Sequence, residues 1–351
     1  MAVEKLEKDW VKYPILHLDL NIEKYDTPDS LDNILDKSLT AWEKLYGAEP
    51  SERSFSLRFA GIIERACKQA GQRVVILVDE YDKPMLQAIG NEELQRQFRN
   101  ALKPFYGALK TMDGCIKFAF LTGVTKFGKV SVFSDLNNLD DISMRKDYVE
   151  LCGVSDRELH DTLDAELHEF ADVRGVTYDK LCAELKECYD GYHFTHNSIG
   201  MYNPFSLLNA FKYKEFGSYW FETGTPTYLV SLLKKHHYDL ERMAHEETDA
   251  QVLNSIDSES TNPIPVIYQS GYLTIKGYDE EFGIYRLGFP NREVEEGFVR
   301  FMLPYYANVN KVESPFEIQK FVREVRSGDY DSFFRRLQSF FADTTYEVIR
   351  D

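Results

Sequence analysis

Short apolar runs and helical periodicities alternate along the first part of the chain. Residues 13–20, 74–78 and 116–121 are apolar runs of strand length, whereas residues 30–45, 55–69 and 91–109 carry apolar side chains at helical spacing. Asp29 or Ser30 is expected to cap the first helix and Asn91 the third, in which Pro104 predicts a kink or break. Strands that alternate with helices predict a three-layer α/β domain with a parallel sheet.

The pattern changes near residue 147. Residues 154–189 are charged and helical, with Ser155 and Glu158 spaced as a capping box, and Asn203 precedes a further helix. Residues 261–289 predict short strands with a hairpin across "GYDEEFG", and residues 316–349 predict an amphipathic helix. Helix, helix, hairpin is the outline of a winged-helix-like domain. We expect an α/β core over residues 1–150, a helical and winged-helix-like region over 151–310, and C-terminal helices over 311–351.

Composition narrows the classes of protein that this chain can belong to. The 351 residues are 43% hydrophobic and carry a formal net charge of -17, which disfavours a general nucleic-acid binder. Five scattered cysteines predict reduced thiols and a cytoplasmic location. The chain has no apolar run that approaches a membrane span, and its first residues lack the apolar core of a signal peptide.

The strand "VVILV" runs directly into two carboxylates, Asp79 and Glu80. This pattern is typical of a Walker B motif, in which one carboxylate holds Mg²⁺ and the next orients the attacking water. We therefore expect Asp79 to face the metal ion and Glu80 to face the water, because successive strand residues point in opposite directions and the chain turns here. The alternative interpretation is a buried strand that simply ends in solvated charges.

A second motif, Gly123-x-x-x-x-Gly128-Lys129, has the spacing of a phosphate-binding loop and follows a strand. Three features argue against that function. Val130 occupies the position of the Mg²⁺-binding hydroxyl, the motif follows the Walker B strand, and no amphipathic helix begins after it. We interpret the segment as a polar strand end, where Thr122 could sense the γ-phosphate.

Two further arrangements carry weaker signals. Cys182, Cys188, His193 and His196 do not have the spacing of a standard zinc finger, so core thiols and surface histidines are the preferred interpretation. Basic residues of the hairpin region are interrupted by acidic ones, which disfavours a DNA-binding surface.

Together, segments such as "VVILVDEYDKPML", "FAFLTGVTKFGKVSVFSDLNNLDDISM", "YDGYHF" and "MYNPFSLLNAF" resemble the AAA-ATPase-like proteins of gut Bacteroidetes. That family typically combines a P-loop NTPase core with a C-terminal nuclease domain of the PD-(D/E)XK superfamily. The resemblance implies ATP and Mg²⁺ as cofactors, Asp79 and Glu80 in the Walker B functions, and Thr122 at the end of the sensor strand. Arg145 is a candidate sensor arginine, with a surface ion pair as the alternative.

The resemblance also implies two missing parts. The family's phosphate loop lies before the first strand of this chain, and its nuclease domain lies after the last helices. We therefore expect an incomplete P-loop core with an open sheet edge or an uncovered apolar face, and no tight ATP binding by this chain alone.

Three hypotheses about function follow. The chain is the core of an ATP-dependent enzyme, a non-catalytic ATPase relic that binds proteins, or a DNA-associated module of a nuclease system. The expected partners are a homo-oligomer or a nuclease-like domain, with nucleic acid disfavoured and no membrane association.

Overall fold

The computed structural model describes residues 6–126, 133, 136–222, 229, 233, 246–254, 262–306 and 314–342. They form two compact units. The first comprises residues 1–140 and 251–270, and the second comprises residues 141–250 and 271–351. The expected division at residues 150 and 310 stays a prediction. The sequence did not predict that residues 251–270 belong to the first unit.

The described helices and strands follow in chain order. They are β1 (Ile15–Asp19), α1 (Asp29–Tyr46), α2 (Phe55–Ala70), β2 (Val74–Asp79), α3 (Lys83–Gln87), α4 (Glu92–Thr111), β3 (Ile116–Leu121), β4 (Val154–Ser155), α5 (Asp156–Thr162), α6 (Asp164–Arg174), α7 (Tyr178–Tyr189), β5 (Met201–Tyr202), α8 (Pro204–Tyr213), α9 (Tyr219–Glu222), β6 (Glu247–Asp249), α10 (Ala250–Asn254), α11 (Ile264–Gln269), β7 (Thr274–Asp279), β8 (Ile284–Gly288), α12 (Arg292–Tyr306), α13 (Ser314–Ser327) and α14 (Tyr330–Ala342).

The first unit contains a three-stranded parallel sheet in the order β1-β2-β3. The predicted parallel α/β core is thus confirmed at the level of the sheet. Side chains alternate between a buried face, with Leu16, Leu18 and Ile76, and a face that is partly exposed. Because strands in sequential order joined by right-handed crossovers receive their connecting helices on one side, this alternation is the expected result.

Aromatic contacts join the helices on the buried side of the sheet. The Phe59 ring of α2 stacks on Phe105 of α4 with centroids 4.5 Å apart, and it also stacks on Trp42 of α1 at 5.8 Å. At the rim of this core, Arg58 donates hydrogen bonds to Glu43 of α1 at 2.6 and 2.9 Å. Apolar burial therefore holds the three helices together, and one bidentate ion pair adds a link between α1 and α2.

In the first unit, the expected side-chain cap of α1 and the expected break at Pro104 were wrong, whereas a kink at Pro104 stays a prediction. Helix α1 begins at Asp29 after Pro28 without a side-chain cap, and Ser30 is buried inside its first turn. Helix α4 continues through Pro104, because one missing N–H in a helix of 20 residues is outweighed by the packing of its buried face. Asn91 does cap α4, since its Oδ1 accepts the Leu94 N–H at 3.1 Å.

The second unit has a helical core and a three-stranded antiparallel sheet in the order β6-β8-β7. The capping box of Ser155 and Glu158 and the Asn203 cap of α8 are present as predicted. The hairpin is also present, but residues 264–269, predicted as strand, form helix α11 of the first unit. The short segment "IPVIYQ" is apolar on all sides, so periodicity alone does not distinguish a strand from a buried helix there.

The predicted tail helix is divided in two. Gly328 adopts a positive φ of 74° between α13 and α14, a backbone conformation that ends a helix. Residues 343–349 of the prediction lie outside the described residues. The winged-helix assignment stays a prediction, because the order of elements alone does not establish it.

The stacked aromatic core gives a direct stability test. We expect Phe59→Ala to lower the free energy of unfolding by about 3–5 kcal/mol, because it removes a buried ring that contacts two neighbouring helices. Phe282→Ala, at the exposed tip of the β7–β8 hairpin, is the control and should change it by less than about 0.5 kcal/mol. Urea titrations followed by circular dichroism measure both, and equal midpoints would contradict the packing described here.

Candidate functional site

The carboxyl ends of the three parallel strands meet at one edge of the sheet. Asp19 of β1 and Asp79 of β2 are paired in register, and the Leu20 N–H donates to the Asp79 carbonyl at 3.1 Å. The side chain of Asp79 is exposed. In open α/β sheets this edge is where ligands bind, so Asp79 lies at the edge that the Walker B prediction requires.

Thr122 lies directly beside Asp79. Its N–H donates to the Val78 carbonyl at 2.9 Å, and its hydroxyl donates to Asp79 Oδ1 at 2.6 Å. Thr122 follows the last residue of β3, so pairing of β2 with β3 alone brings the two side chains together. The structure thus places Thr122 within hydrogen-bonding distance of the candidate metal carboxylate.

Glu80 has left the strand and adopts a left-handed backbone with φ of 57°. Such a conformation is uncommon for a residue with a side chain, and it is found most often at functional sites. Burial raises the pKa of the Glu80 carboxyl, and the negative charges of Asp82 and Asp79 raise it further, while Lys83 opposes them. The turn, rather than strand alternation, is what separates the Glu80 side chain from that of Asp79.

Asp82 is a third carboxylate of the same turn, and sequence reasoning missed it. It is 1% exposed and accepts hydrogen bonds from the Thr125 N–H at 2.6 Å, the Thr125 hydroxyl at 2.5 Å and the Val124 N–H at 3.2 Å. Burial raises its pKa, and these hydrogen bonds oppose the shift. Asp82 therefore holds residues 124–125, after β3, against the turn after β2.

The same two turns are joined by the backbone and ring of Tyr81. Its N–H donates to the Thr122 carbonyl at 3.0 Å, and its hydroxyl donates to the Thr125 carbonyl at 2.7 Å. Gly123 has no room for a side chain, because a Cβ there would overlap Asp82 Oδ1 and the Tyr81 ring. The sequence does contain signals for this contact between the two turns. Asp82 follows Asp79 by three residues, and Gly123 and Thr125 follow β3.

Lys83, the first residue of α3, is a cation close to this acidic edge. Lys83 Nζ donates to the carbonyl and the Oδ1 of Asn21, at 2.7 and 2.5 Å, and so binds the turn that follows β1. The three strand ends are thus linked in the order β1, β2, β3 by side chains of the "DEYDKP" turn.

The segment after Thr125 connects the site to α10 and α11 of the same unit. The Lys126 N–H donates to Gln269 Oε1 at 2.5 Å, and Lys126 Nζ donates to Asn254 Oδ1 at 2.6 Å. Gly128 and Lys129, the other members of the rejected phosphate-loop motif, lie outside the described residues.

Arg145 belongs to the second unit. Its guanidinium lies 3.9 Å from an Asp147 carboxylate oxygen and 5.8 Å from the centroid of the Tyr148 ring. These contacts are those expected for the surface ion pair, and a role for Arg145 at a nucleotide stays a prediction.

The described residues contain neither a cluster of metal ligands nor a membrane-spanning helix. Within residues 6–126 and the later described segments, no group of three or more His, Cys, Asp or Glu side chains is arranged to hold a metal ion. Cys188 of the rejected zinc set instead accepts a hydrogen bond from Arg292 Nη2 at 2.7 Å. No helix in that part of the chain is long and apolar enough to cross a membrane.

The first part of the chain is similar to a known protein family. Residues 1–133 match the family described as "Predicted AAA-ATPase". The match covers β1, β2, β3 and the site residues Asp79, Glu80 and Thr122.

A longer curated protein matches most of the chain. An "Uncharacterized protein in vnfD 5'region" from Azotobacter chroococcum mcd 1 is 35% identical over 302 residues, which cover 85% of this chain and 56% of that protein. The chain thus spans little more than half the length of this relative. No solved structure matches the chain.

The function of Asp82 as a clamp can be tested by substitution. Asp82→Ala should lower the free energy of unfolding by about 2–4 kcal/mol, because it leaves the buried N–H and hydroxyl of Thr125 and the partly buried N–H of Val124 without their acceptor. Hydrogen exchange should also show faster exchange of the Val124 and Thr125 amides. Asp113→Ala, at the opposite edge of the sheet and exposed, is the matched control. Unchanged exchange at both amides would show that Asp82 does not hold this turn.

Glu80 predicts a pH dependence whose sign follows from its raised pKa. The folded protein binds a proton here at pH values where the unfolded chain has released it, so stability falls as pH rises through that window. Glu80→Gln should flatten this fall and stabilise the protein above the window by less than about 1 kcal/mol, since the carboxyl is half exposed. Urea midpoints measured across pH check this; a Glu80→Gln profile parallel to that of the unsubstituted protein would contradict it.

Proposed function

We propose that the carboxyl edge of the parallel sheet is the acidic half of an ATP–Mg²⁺ site within an incomplete P-loop NTPase core. The observation that carries the proposal is the group formed by Asp79, Glu80 and Thr122, with a direct hydrogen bond between Thr122 and Asp79. The match of residues 1–133 to a predicted ATPase family supports it.

Asp79 supplies one carboxylate for the metal ion. Mg²⁺ retains several waters and is commonly bound through one or two carboxylates together with substrate phosphates. The described site fits that mode, because the exposed Asp79 is bordered by Asp19 and no all-protein cage is present among the described residues. The Thr122 hydroxyl donates its hydrogen bond to Asp79 in this structure. Rotation of the hydroxyl would let it donate to a phosphate oxygen instead.

Glu80 is the water-orienting group in this proposal. Glu80 lies in the turn after β2 with a left-handed backbone. Burial raises the pKa of its carboxyl most, and a bound cation would offset the smaller contributions from the negative charges of Asp82 and Asp79. A carboxylate in this position can accept a hydrogen bond from a water aimed at the γ-phosphate, and positioning of that water is the principal contribution of such a residue.

The phosphate-binding half of the site is not supplied by the described residues of the first unit. Helix α1 begins after Pro28 and α3 begins after Asp82, so neither follows a glycine-rich loop that could present backbone N–H groups to phosphate. Asp79 and Glu80 then place negative charge where a tetra-anion must bind. We propose that this chain alone binds ATP weakly and does not hydrolyse it usefully, and that a longer polypeptide or partner supplies the missing half.

The remaining expectations are predictions about that longer assembly. The nuclease-like partner, the winged-helix function of the second unit, homo-oligomer formation, the role of Arg145 and the cytoplasmic location stay predictions. The functional proposal depends on none of them.

The effect of Asp79→Asn on ATP binding, measured without and with Mg²⁺, tests whether Asp79 is the metal carboxylate. Without Mg²⁺, Asp79→Asn should bind ATP more tightly than the unsubstituted protein, since one repelling charge is removed. With Mg²⁺, binding to the unsubstituted protein should increase, whereas Asp79→Asn should lose this increase. Saturation-transfer NMR of ATP suits the millimolar affinities expected of half a site.

The control variant is Asp113→Asn, which removes the same charge at the opposite edge of the sheet. An equal Mg²⁺ effect in Asp79→Asn and in the unsubstituted protein would contradict the proposed function. Micromolar affinity of the unsubstituted chain for Mg·ATP would contradict the incompleteness of the site.

A further inference from the structure

Two cysteines of the first unit lie at the amino edge of the parallel sheet, opposite the candidate site. Cys67 lies in the last turn of α2, which leads into β2. Cys115 ends the helical turn Asp113–Cys115 directly before β3. Because Val74, the first residue of β2, pairs with Ile116, the first residue of β3, the strand register brings both cysteines to the same edge.

The segments that carry these cysteines are in contact. Cα atoms of α2 and of the turn before β3 approach within 8 Å of each other. The side chains of Cys67 and Cys115 interact directly, and both thiols are free and partly exposed to solvent. A disulfide forms without backbone movement only between neighbouring cysteines whose Cα atoms lie within about 7 Å. The fold therefore places an accessible thiol pair where a bond between α2 and β3 can form.

Charges around the pair distinguish the two thiols. Burial raises the pKa of the Cys115 thiol, and so do Cys67 and the Glu64 carboxylate, whereas Lys68 opposes the shift. The Lys68 ammonium interacts electrostatically with both sulfurs, and its Nζ donates to Glu64 Oε1 at 2.6 Å. A thiolate that forms here thus has a cation beside it, which favours its reaction. Because Cys115 retains its proton to a higher pH than an ordinary thiol, Cys67 is the better candidate for the first attack.

The other three cysteines belong to the second unit. Cys188 is buried and accepts its hydrogen bond from Arg292, and Cys182 contacts Tyr178. Cys152 is exposed, and so it is accessible to the same reagents as the pair in the first unit. Comparison with Cys152 therefore separates a specific reaction of the pair from general oxidation of accessible thiols.

We propose that Cys67 and Cys115 form a reversible oxidation site, which hydrogen peroxide converts to a disulfide between α2 and the turn before β3. The Cys67 thiolate attacks one peroxide oxygen, so that an S–O bond forms and the O–O bond breaks. The released hydroxide takes the Cys115 proton and leaves as water. The Cys115 thiolate then attacks the Cys67 sulfur, the S–S bond forms, and hydroxide leaves with a solvent proton as a second water.

The electrons and protons of this reaction balance. Two thiols lose two electrons in total to form the disulfide, and one peroxide gains them to form two waters. The solvent proton of the last step replaces the one that Cys67 released when its thiolate formed. The inference depends on thiol chemistry and not on nucleotide binding, so it stands or fails separately from the proposed function.

Mass spectrometry after differential alkylation tests the site in the full chain. A small molar excess of hydrogen peroxide should link the peptides that contain Cys67 and Cys115, while Cys152 stays available for alkylation. Dithiothreitol should restore both thiols. Oxidation should also raise the midpoint of thermal unfolding by at least about 4 °C, because the bond restricts the unfolded chain.

Substitutions identify the function of each group. Cys115→Ser should trap a sulfenic acid on Cys67, detected as a dimedone adduct, whereas Cys67→Ser should leave Cys115 reduced. Lys68→Met should slow disulfide formation at least about threefold, since it removes the cation beside the thiolate. Cys152→Ser is the matched control and should change neither the linked peptides nor the rate at which they form.

Circular dichroism checks that each variant is folded, and the linked peptides of the unsubstituted protein need no variant. Peptides that join Cys67 or Cys115 to a different cysteine, or bonds formed only between two chains, would overturn the proposal. Oxidation of Cys152 while both thiols of the pair remain free would overturn it as well.

Discussion

Sequential pairing of three parallel strands is the constraint on which the first unit depends. The parallel order β1-β2-β3 brings all carboxyl ends to one edge. Because crossovers between parallel strands are right-handed as a rule, all connecting helices are expected on one face. The strand register alone places Asp19, Asp79 and Thr122 at this edge. The same order leaves the opposite face without a helical layer from these connections. The candidate site and the exposed sheet face, which includes Ile15 and Phe118, thus both result from this strand order.

A buried carboxylate then fixes the geometry of that edge. Asp82 accepts three hydrogen bonds from residues 124–125, and Tyr81 bonds Thr122 and Thr125 on the same path. Burial of a charge is unfavourable, and satisfying it with short hydrogen bonds from a neighbouring turn offsets that cost. The turn after β2 and the turn after β3 therefore behave as one element, and Thr122 is held beside Asp79.

The sequence was sufficient to predict this sheet because its strands are apolar, short and separated by strongly periodic helices. The adjacency of Thr122 and Asp79 also follows from the sequence, since both end neighbouring strands. Asp82 was missed because a third carboxylate after a strand is usually solvated, and only the fold shows that it is buried. Residues 264–269 were assigned as strand because a short segment that is apolar on all sides has no period. Their place in the first unit depends on contacts such as Lys126 with Gln269, which no local pattern encodes.

The chain therefore presents an ordered acidic edge, and the phosphate-binding half that the proposed function requires is not found among its described residues. A relative of which this chain spans 56% shows that related polypeptides are longer. In this account the acidic edge is a preformed component, held by Asp82 whether or not nucleotide is bound.

Paramagnetic broadening by Mn²⁺ detects weak binding and locates the ion, so it can show whether the carboxyl edge binds metal and nucleotide. Amide spectra of the chain should lose intensity first at Asp79, Glu80 and Thr122 when Mn²⁺ is added with ATP, and Asp79→Asn should abolish this loss. Broadening that begins elsewhere, or that persists unchanged in Asp79→Asn, would contradict the assignment of this edge as a metal–nucleotide site.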